Sequence, residues 1–210
     1  MAFDFKKAYK DLYLPETVPS VLTVPPMRFI AVRGQGDPNE PEGAYQRALN
    51  LLYGVAYTLK MSYKTDYRID GFFEYAVPPL EGFWYQPGTE GVDYGRKGDF
   101  CWLSVIRLPD FVRERDFRWA LETAERKKKL DFSPVQLLAV DEGLCVQCMH
   151  VGPYDEEPAT VERMHRFCAE QGYAPDFSQE RLHHEIYLGD PRRGDPAKLK
   201  TVIRHPIRRM

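Results

Sequence analysis

Leu144-Cys145-Val146-Gln147-Cys148-Met149-His150-Val151-Gly152-Pro153-Tyr154-Asp155 reads as a strand that runs into a glycine-proline turn. A helix is predicted next, from about Glu157 to Glu170, because Val161, Met164, Phe167 and Cys168 form an apolar stripe. Pro158 suits its first turn and Gly172 the position just past its end. A strand over Arg181–Leu188, a turn-rich loop over Gly189–Pro196 and a last strand over Leu199–Arg204 complete the unit.

The same order occurs earlier. Arg28–Arg33 reads as a strand, Gly34-Gln35-Gly36-Asp37-Pro38 as a turn cluster, and about Glu42 to about Tyr63 as a helix with one apolar stripe. Strands are predicted over Phe72–Val77, Leu80–Tyr85 and Cys101–Leu108, the last two joined by a long loop. The echo lies in element order rather than in letters; it sets Phe73-Glu74-Tyr75 near Glu185-Ile186-Tyr187. An α+β fold is therefore expected: duplicated β-α-β-β units forming one antiparallel sheet, with helices on one face and a ligand cleft on the other. Residues 1–26, rich in proline, form a lead-in that wraps the domain; one unit spans 27–110 and the other 144–210. A connecting helix, roughly Asp116–Leu130, and a strand over Val135–Val140 lie between them in 111–143.

The chain has 210 residues, 43% of them hydrophobic and 29% charged, with a formal net charge of −2. A single sizeable domain is expected. No global positive field exists to draw nucleic acid or anionic lipid, so neither is an expected partner. No window approaches the ~18 apolar residues of a membrane span, and Met1–Lys10 has no apolar signal core. Four cysteines, Cys101, Cys145, Cys148 and Cys168, do not make a dense framework, so the reducing cytoplasm is the expected location. The tail Arg204-His205-Pro206-Ile207-Arg208-Arg209 reads as a solvated basic end.

Several candidate chemistries fail on spacing. Cys145 and Cys148 stand three apart in a strand, so they point to opposite faces and cannot grip one metal. The glycines at 34 and 36 lack the rest of a phosphate loop. In His183-His184-Glu185 only His183 and Glu185 share a face, which is too few ligands for a metal site; no metal and no cofactor are expected.

Glu185 is the sharper candidate. Ile186 and Leu188 suit a helix-covered face, which puts His183, Glu185 and Tyr187 on the other. A desolvated carboxylate among aromatic rings is expected to have a raised pKa and to exchange protons near neutral pH; if ionised, it attracts cations. The competing reading pairs Glu185 with Arg181, Arg192 or Arg204 on a wet surface, and spacing alone does not choose. Aromatics crowd the strands of the first unit: Phe72, Phe73, Tyr75, Phe83, Trp84, Tyr85, Phe100 and Trp102. Alternation puts them on both faces, which suits a stacking wall for a flat ligand as well as a core.

Met149-His150-Val151-Gly152-Pro153-Tyr154-Asp155 resembles the H-x-G-P-Y signature of GyrI-like small-molecule-binding domains. His184-Glu185-Ile186-Tyr187-Leu188 resembles that family's late E-I-Y strand, and Pro78-Pro79-Leu80-Glu81-Gly82-Phe83-Trp84 the P-P-L-E-G-L-W segment of its stand-alone members. Asp11-Leu12-Tyr13 and Gly36-Asp37-Pro38-Asn39 also resemble that subgroup. The resemblance implies a cleft between the halves and a small-molecule partner. The family includes gyrase inhibitors, a protein-interaction role, and effector domains of multidrug-responsive regulators, whose E-I-Y glutamate contacts cationic aromatic drugs. Some stand-alone members hydrolyse cyclopropanoid DNA-alkylating compounds. By that resemblance Glu185 is the general acid or base, and Trp84, Trp102, Tyr187, His183, Phe73, Tyr75, Met149 and Tyr154 are ligand-binding candidates. Phe83-Trp84-Tyr85 departs from the pair of tryptophans common in related members, leaving open which ring faces the ligand.

Overall fold

The computed structural model describes residues 2–189 and 195–210. Arg192 and most of the predicted loop over Gly189–Pro196 lie outside the described residues. In chain order the elements are α1 (Phe5–Ala8), α2 (Lys10–Tyr13), β1 (Ser20–Val24), β2 (Met27–Gln35), α3 (Ala44–Lys60), β3 (Leu80–Tyr85) and β4 (Cys101–Arg107). They continue with α4 (Glu114–Lys128), β5 (Gln136–Val140), β6 (Gly143–Val151), α5 (Glu157–Glu170), β7 (Tyr173–Pro175), β8 (His183–Tyr187) and β9 (Lys200–Arg209). Among the described residues no helix is long and apolar enough to cross a membrane.

The fold is α+β. The strands form one antiparallel sheet in the order β1-β6-β9-β8-β3-β4-β2-β5, and β7 pairs with the end of β9. The unit β2-α3-β3-β4 supplies the neighbours β2-β4-β3, and β6-α5-β8-β9 supplies β6-β9-β8. The units join where β3 meets β8, in the register Leu80↔Tyr187, Gly82↔Glu185 and Trp84↔His183. Residues paired across strands share a face. Leu80, Gly82, Trp84, His183, Glu185 and Tyr187 therefore lie on one side, and Glu81, Phe83, His184 and Ile186 on the other.

The first side is the one the long helices cover. Leu52, Val55, Ala56 and Leu59 of α3 pack with Ile30, Val32, Trp84, Trp102 and Ile106. Met164 and Cys168 of α5 pack with Val146, Cys148, Ile203 and Ile207. Glu185 thus lies on the helix-covered face, against the expectation that Ile186 would take that side. The apolar residues of β8 suit the helices by pattern, but the lead-in supplies a second apolar cover. Phe5, Leu12 and Tyr13 pack with Phe29, Phe83, Val105, Met149, Ile186 and Val202 on the reverse face. Cys145 lies in that reverse core and Cys148 under α5, as strand alternation requires.

Two further expectations are corrected. Phe72–Val77 is not a strand: before two prolines it makes only the bridge Phe3↔Tyr75, which stitches the lead-in down. The basic tail is solvated only at its end: β9 continues to Arg209, with Arg204, His205 and Ile207 buried between neighbouring strands and Arg208 and Arg209 exposed. The charge of Arg204 is paired with Glu142 rather than hydrated.

Arg204 anchors a buried network on the lead-in side. Its Nη1 donates to Glu142 Oε1 at 2.9 Å and its Nη2 to the Leu12 carbonyl at 2.8 Å. His184 bridges Glu142 Oε2 at 2.8 Å and Glu81 Oε2 at 3.0 Å, and the Tyr13 hydroxyl donates to Glu81 Oε1 at 3.2 Å. Burial opposes charge on both partners, but the pairing outweighs it. Glu142 is held down at about 2 by His184 and Arg204, and His184 is raised by Glu142 and Glu81. Stability from Glu142 is therefore present above its ordinary value and lost as pH falls toward about 2. Stability from His184 is present below its ordinary value and lost as pH rises through the raised one.

Arg204→Met leaves Glu142 partly uncompensated in the interior and is expected to cost about 3–5 kcal/mol in urea unfolding. The wild-type midpoint should be highest at mildly acidic pH and fall in both strong acid and alkali. A midpoint independent of pH would contradict the network.

Candidate functional site

The site is built where the two units meet on the helix-covered face. β8 delivers Glu185, which is 7% exposed. Its Oε1 bonds to His183 Nε2 at 2.8 Å, and its Oε2 accepts the Tyr187 hydroxyl at 2.7 Å. The Tyr187 oxygen in turn accepts Trp84 Nε1–H at 2.9 Å. This chain needs Gly82. A Cβ there would stand 2.6 Å from Trp84 Nε1 and 3.1 Å from the Tyr187 hydroxyl. Gly34 plays the same part for Trp102, whose ring lies 2.2 Å from where its Cβ would be. The glycine that tempts a phosphate-loop reading is thus a seat for an indole.

α5 brings in Glu157 at its first residue. Tyr94 donates its hydroxyl to Glu157 Oε2 at 2.9 Å, while among the described residues no hydrogen bond of ordinary geometry reaches the buried Glu157 Oε1. Glu157, His183 and Glu185 each place one ligating atom within 4.8 Å of the others. That spacing admits a cation, and Glu157 is the third ligand that strand alternation alone did not reveal. His183 Nε2 is already engaged with Glu185, however, and the cluster is coherent as a hydrogen-bonded acid–base group.

The two carboxyls are driven apart. Burial raises Glu157, and the negative charge of Glu185 raises it further, well above the ordinary carboxylate range. Burial works the same way on Glu185, but hydrogen bonds from His183 and from the Tyr187 hydroxyl outweigh it and leave its pKa lowered. The raised pKa expected for Glu185 therefore belongs to Glu157. The two carboxyls are thus shifted in opposite directions, the pattern that divides acid from base.

Rings surround the pair. Tyr45, in the first turn of α3, lies with its centroid 5.5 Å from Trp84 and 5.2 Å from Trp102. Tyr154 meets Tyr187 edge-on at 5.8 Å, and Phe100 meets Trp84 at 5.4 Å. Tyr45, Tyr94, Tyr154 and Tyr187 are half-buried and form the rim over Glu185.

Of the predicted residues, His183, Glu185, Tyr187, Trp84, Trp102 and Tyr154 are brought together. Phe73 and Tyr75 are not. Phe73 is 44% exposed against Phe3 and Phe111, and Tyr75 is buried in the lead-in core. Met149 also faces the lead-in side and lines a separate groove of about 520 Å³ with Thr17, His150 and Arg163. The paired-arginine alternative is not what is found for the described arginines. Arg204 holds Glu142, and Arg181 holds Asp176. The residues that sequence reading missed are Glu157, Tyr45 and Tyr94. Glu157 carried a signal, since a helix that follows β6 in a β-α-β unit starts over the sheet centre. Tyr45 and Tyr94 sit on a helix turn and a loop with no pattern to mark them. His150 closes the turn into α5, bonding Thr160 Oγ1 and the Pro153 carbonyl, each at 3.0 Å.

The sequence pattern of the GyrI-like small molecule binding domain matches residues 17–208. A protein described as a hydrolase from Listeria innocua is 44% identical, with a TM-score of 0.89, 98% of this chain covered and 100% of the other. A conserved protein from the same organism is 46% identical, with a TM-score of 0.92 and the same coverage. The EcmrR C-terminal domain shares the fold at 11% identity and a TM-score of 0.59, over 91% of this chain and 98% of the other. No curated protein matches the sequence.

Gly82→Ala forces Trp84 and Tyr187 apart. It should cost about 1–3 kcal/mol and shift the tryptophan fluorescence of the folded protein. An unchanged spectrum and unfolding midpoint would show that the indole does not lie across Gly82.

Proposed function

The chain belongs to the GyrI-like small-molecule-binding domain family, and from that premise we propose that it hydrolyses flat, hydrophobic electrophiles of the cyclopropanoid type. The observation that carries this reading is the buried carboxyl pair, Glu185 bonded by His183 and Tyr187 and Glu157 bonded by Tyr94, within an aromatic enclosure. The substrate's ring system stacks among Tyr45, Trp84, Trp102 and Tyr154, and the strained carbon is presented to water beside Glu185. Water bonds to that carbon as the carbon–carbon bond breaks, and its electron pair passes through the ring system to the carbonyl oxygen. Glu185 takes the proton from the attacking water. Glu157 gives its proton to the developing oxyanion. The lesson of the enclosure is economy of water: the buried walls leave the alkylator one nucleophile. A hydrolase from Listeria innocua at 44% identity supports the assignment of reaction class.

A second reading rests on the same charge. An ionised carboxylate ringed by aromatic faces attracts cationic aromatic compounds without any chemistry. Such a protein sequesters its ligand, which is recovered intact after saturable binding.

The test is incubation with a cyclopropanoid alkylator and analysis for the hydrated product. Glu185→Gln and Glu157→Gln should each lower kcat by about 10²–10⁴-fold while the ligand still binds. Activity requires Glu185 ionised and Glu157 protonated, so it should rise with pH through the lowered value and fall through the raised one. Because the shifts are in opposite directions, the plateau across neutral pH should be broad. Intact ligand throughout would favour sequestration.

A further inference from the structure

Three of the five histidines stand in a row that begins at Glu185. His183 Nε2 lies 2.8 Å from Glu185 Oε1, and His183 Nδ1 lies 2.6 Å from His205 Nε2. His205 Nδ1 lies 2.9 Å from His165 Nε2. His183 and His205 are buried, and His165, on α5, is half-buried. The row therefore leads from the sealed carboxyl pair toward solvent. It uses both nitrogens of each inner ring, and the Tyr94 hydroxyl also lies 3.5 Å from His183 Nε2.

With the rings neutral, hydrogen-bond logic sets its direction. An ionised carboxylate only accepts, so His183 Nε2 carries a proton. In a neutral ring Nδ1 is then an acceptor, so His205 Nε2 must carry the next proton, and by the same step His165 Nε2 the third. His165 Nδ1 is left as the outermost acceptor. We propose that His183, His205 and His165 form a proton relay through which the Glu157–Glu185 pair exchanges its single proton with solvent. The inference rests on the reading of that pair as the acid–base group.

The transfer balances. A proton from water bonds to His165 Nδ1, and the Nε2 proton of His165 passes to His205 Nδ1. The Nε2 proton of His205 passes to His183 Nδ1, and that of His183 passes to Glu185 Oε1. One proton enters and one arrives, and each ring changes tautomer without net charge. Running backward, the row discharges Glu185. A wet channel would do the same work but would admit the bulk water that the aromatic enclosure excludes.

The surroundings suit neutral rings. Phe177 packs edge-on against His205 at 4.9 Å, and the Tyr94 ring meets His183 at 6.3 Å. Burial, and then the neighbouring His183 and His165, push the pKa of His205 well down. Burial also lowers His165, opposed by the charge of Glu90. The groups facing the row are thus Glu157, Glu185 and Tyr94 at the inner end and Glu90 at the outer.

The test requires no substrate, so it stands apart from the hydrolase reading. In protein labelled with ¹⁵N-histidine, long-range ¹H–¹⁵N spectra near neutral pH should show the Nε2–H tautomer at His183, His205 and His165. An Nδ1–H tautomer or an imidazolium at either buried ring would overturn the relay. The exchange of the two buried N–H protons with solvent is then followed in wild type and in His165→Ala. The variant should slow that exchange by about tenfold or more, and added imidazole should restore it. If His165 served only packing, its removal would loosen the site and speed the exchange. Exchange that is unchanged, faster or indifferent to imidazole would overturn the proposal.

Discussion

Side-chain alternation along β8 is the constraint on which the centre of the molecule depends. This strand lies at the junction of the two units and is buried on both faces, so each residue must satisfy a different interior. His183, Glu185 and Tyr187 point to the helices and build the acid–base group. His184 and Ile186 point to the lead-in; His184 joins Glu81, Glu142 and Arg204, and Ile186 completes an apolar core. A slip of one residue in the register would exchange the two sets and leave charges in apolar surroundings. The Arg204 network does more than hold the N-terminal segment. By grasping His184 it fixes the register that aims Glu185.

Much of the architecture was legible in the residues. Apolar stripes located α3 and α5, the latter at the observed bounds, and the repeated element order announced the two units. What could not be read was the second cover. Prolines at 15, 19, 25 and 26 mark a lead-in but do not say which face it occupies, and its Phe5, Leu12 and Tyr13 turn an apparent solvent face into core. That reversal moved Glu185 to the opposite side. Similarly, Arg204 and His205 read as tail because their partners, Glu142 and His183, lie far away in sequence and only the sheet register joins them.

The candidate site shows the same division. Glu185, His183 and Tyr187 stand two apart on one strand, and that spacing suffices to group them. Glu157 comes from a helix, and its placement depends on how α5 crosses the sheet. Its effect on the electrostatics is nevertheless decisive. A lone buried Glu185 would have a raised pKa; with His183 bonding to it and Glu157 beside it, the raised pKa falls to Glu157 on the helix instead. Gly82 and Gly34 show the complementary point, since a missing Cβ is invisible as chemistry yet determines where two indoles lie.

The central claim is that neighbouring carboxyls hold opposite protonation states. Carboxyl ¹³C chemical shifts of glutamate-labelled protein, assigned through the Glu157→Gln and Glu185→Gln variants, measure it directly. Near neutral pH, Glu157 should resonate as a carboxylic acid and Glu185 as a carboxylate, and Glu157 should ionise more readily once Glu185 is neutralised to glutamine. Two carboxylate resonances at neutral pH, or a Glu157 indifferent to the loss of Glu185, would contradict it.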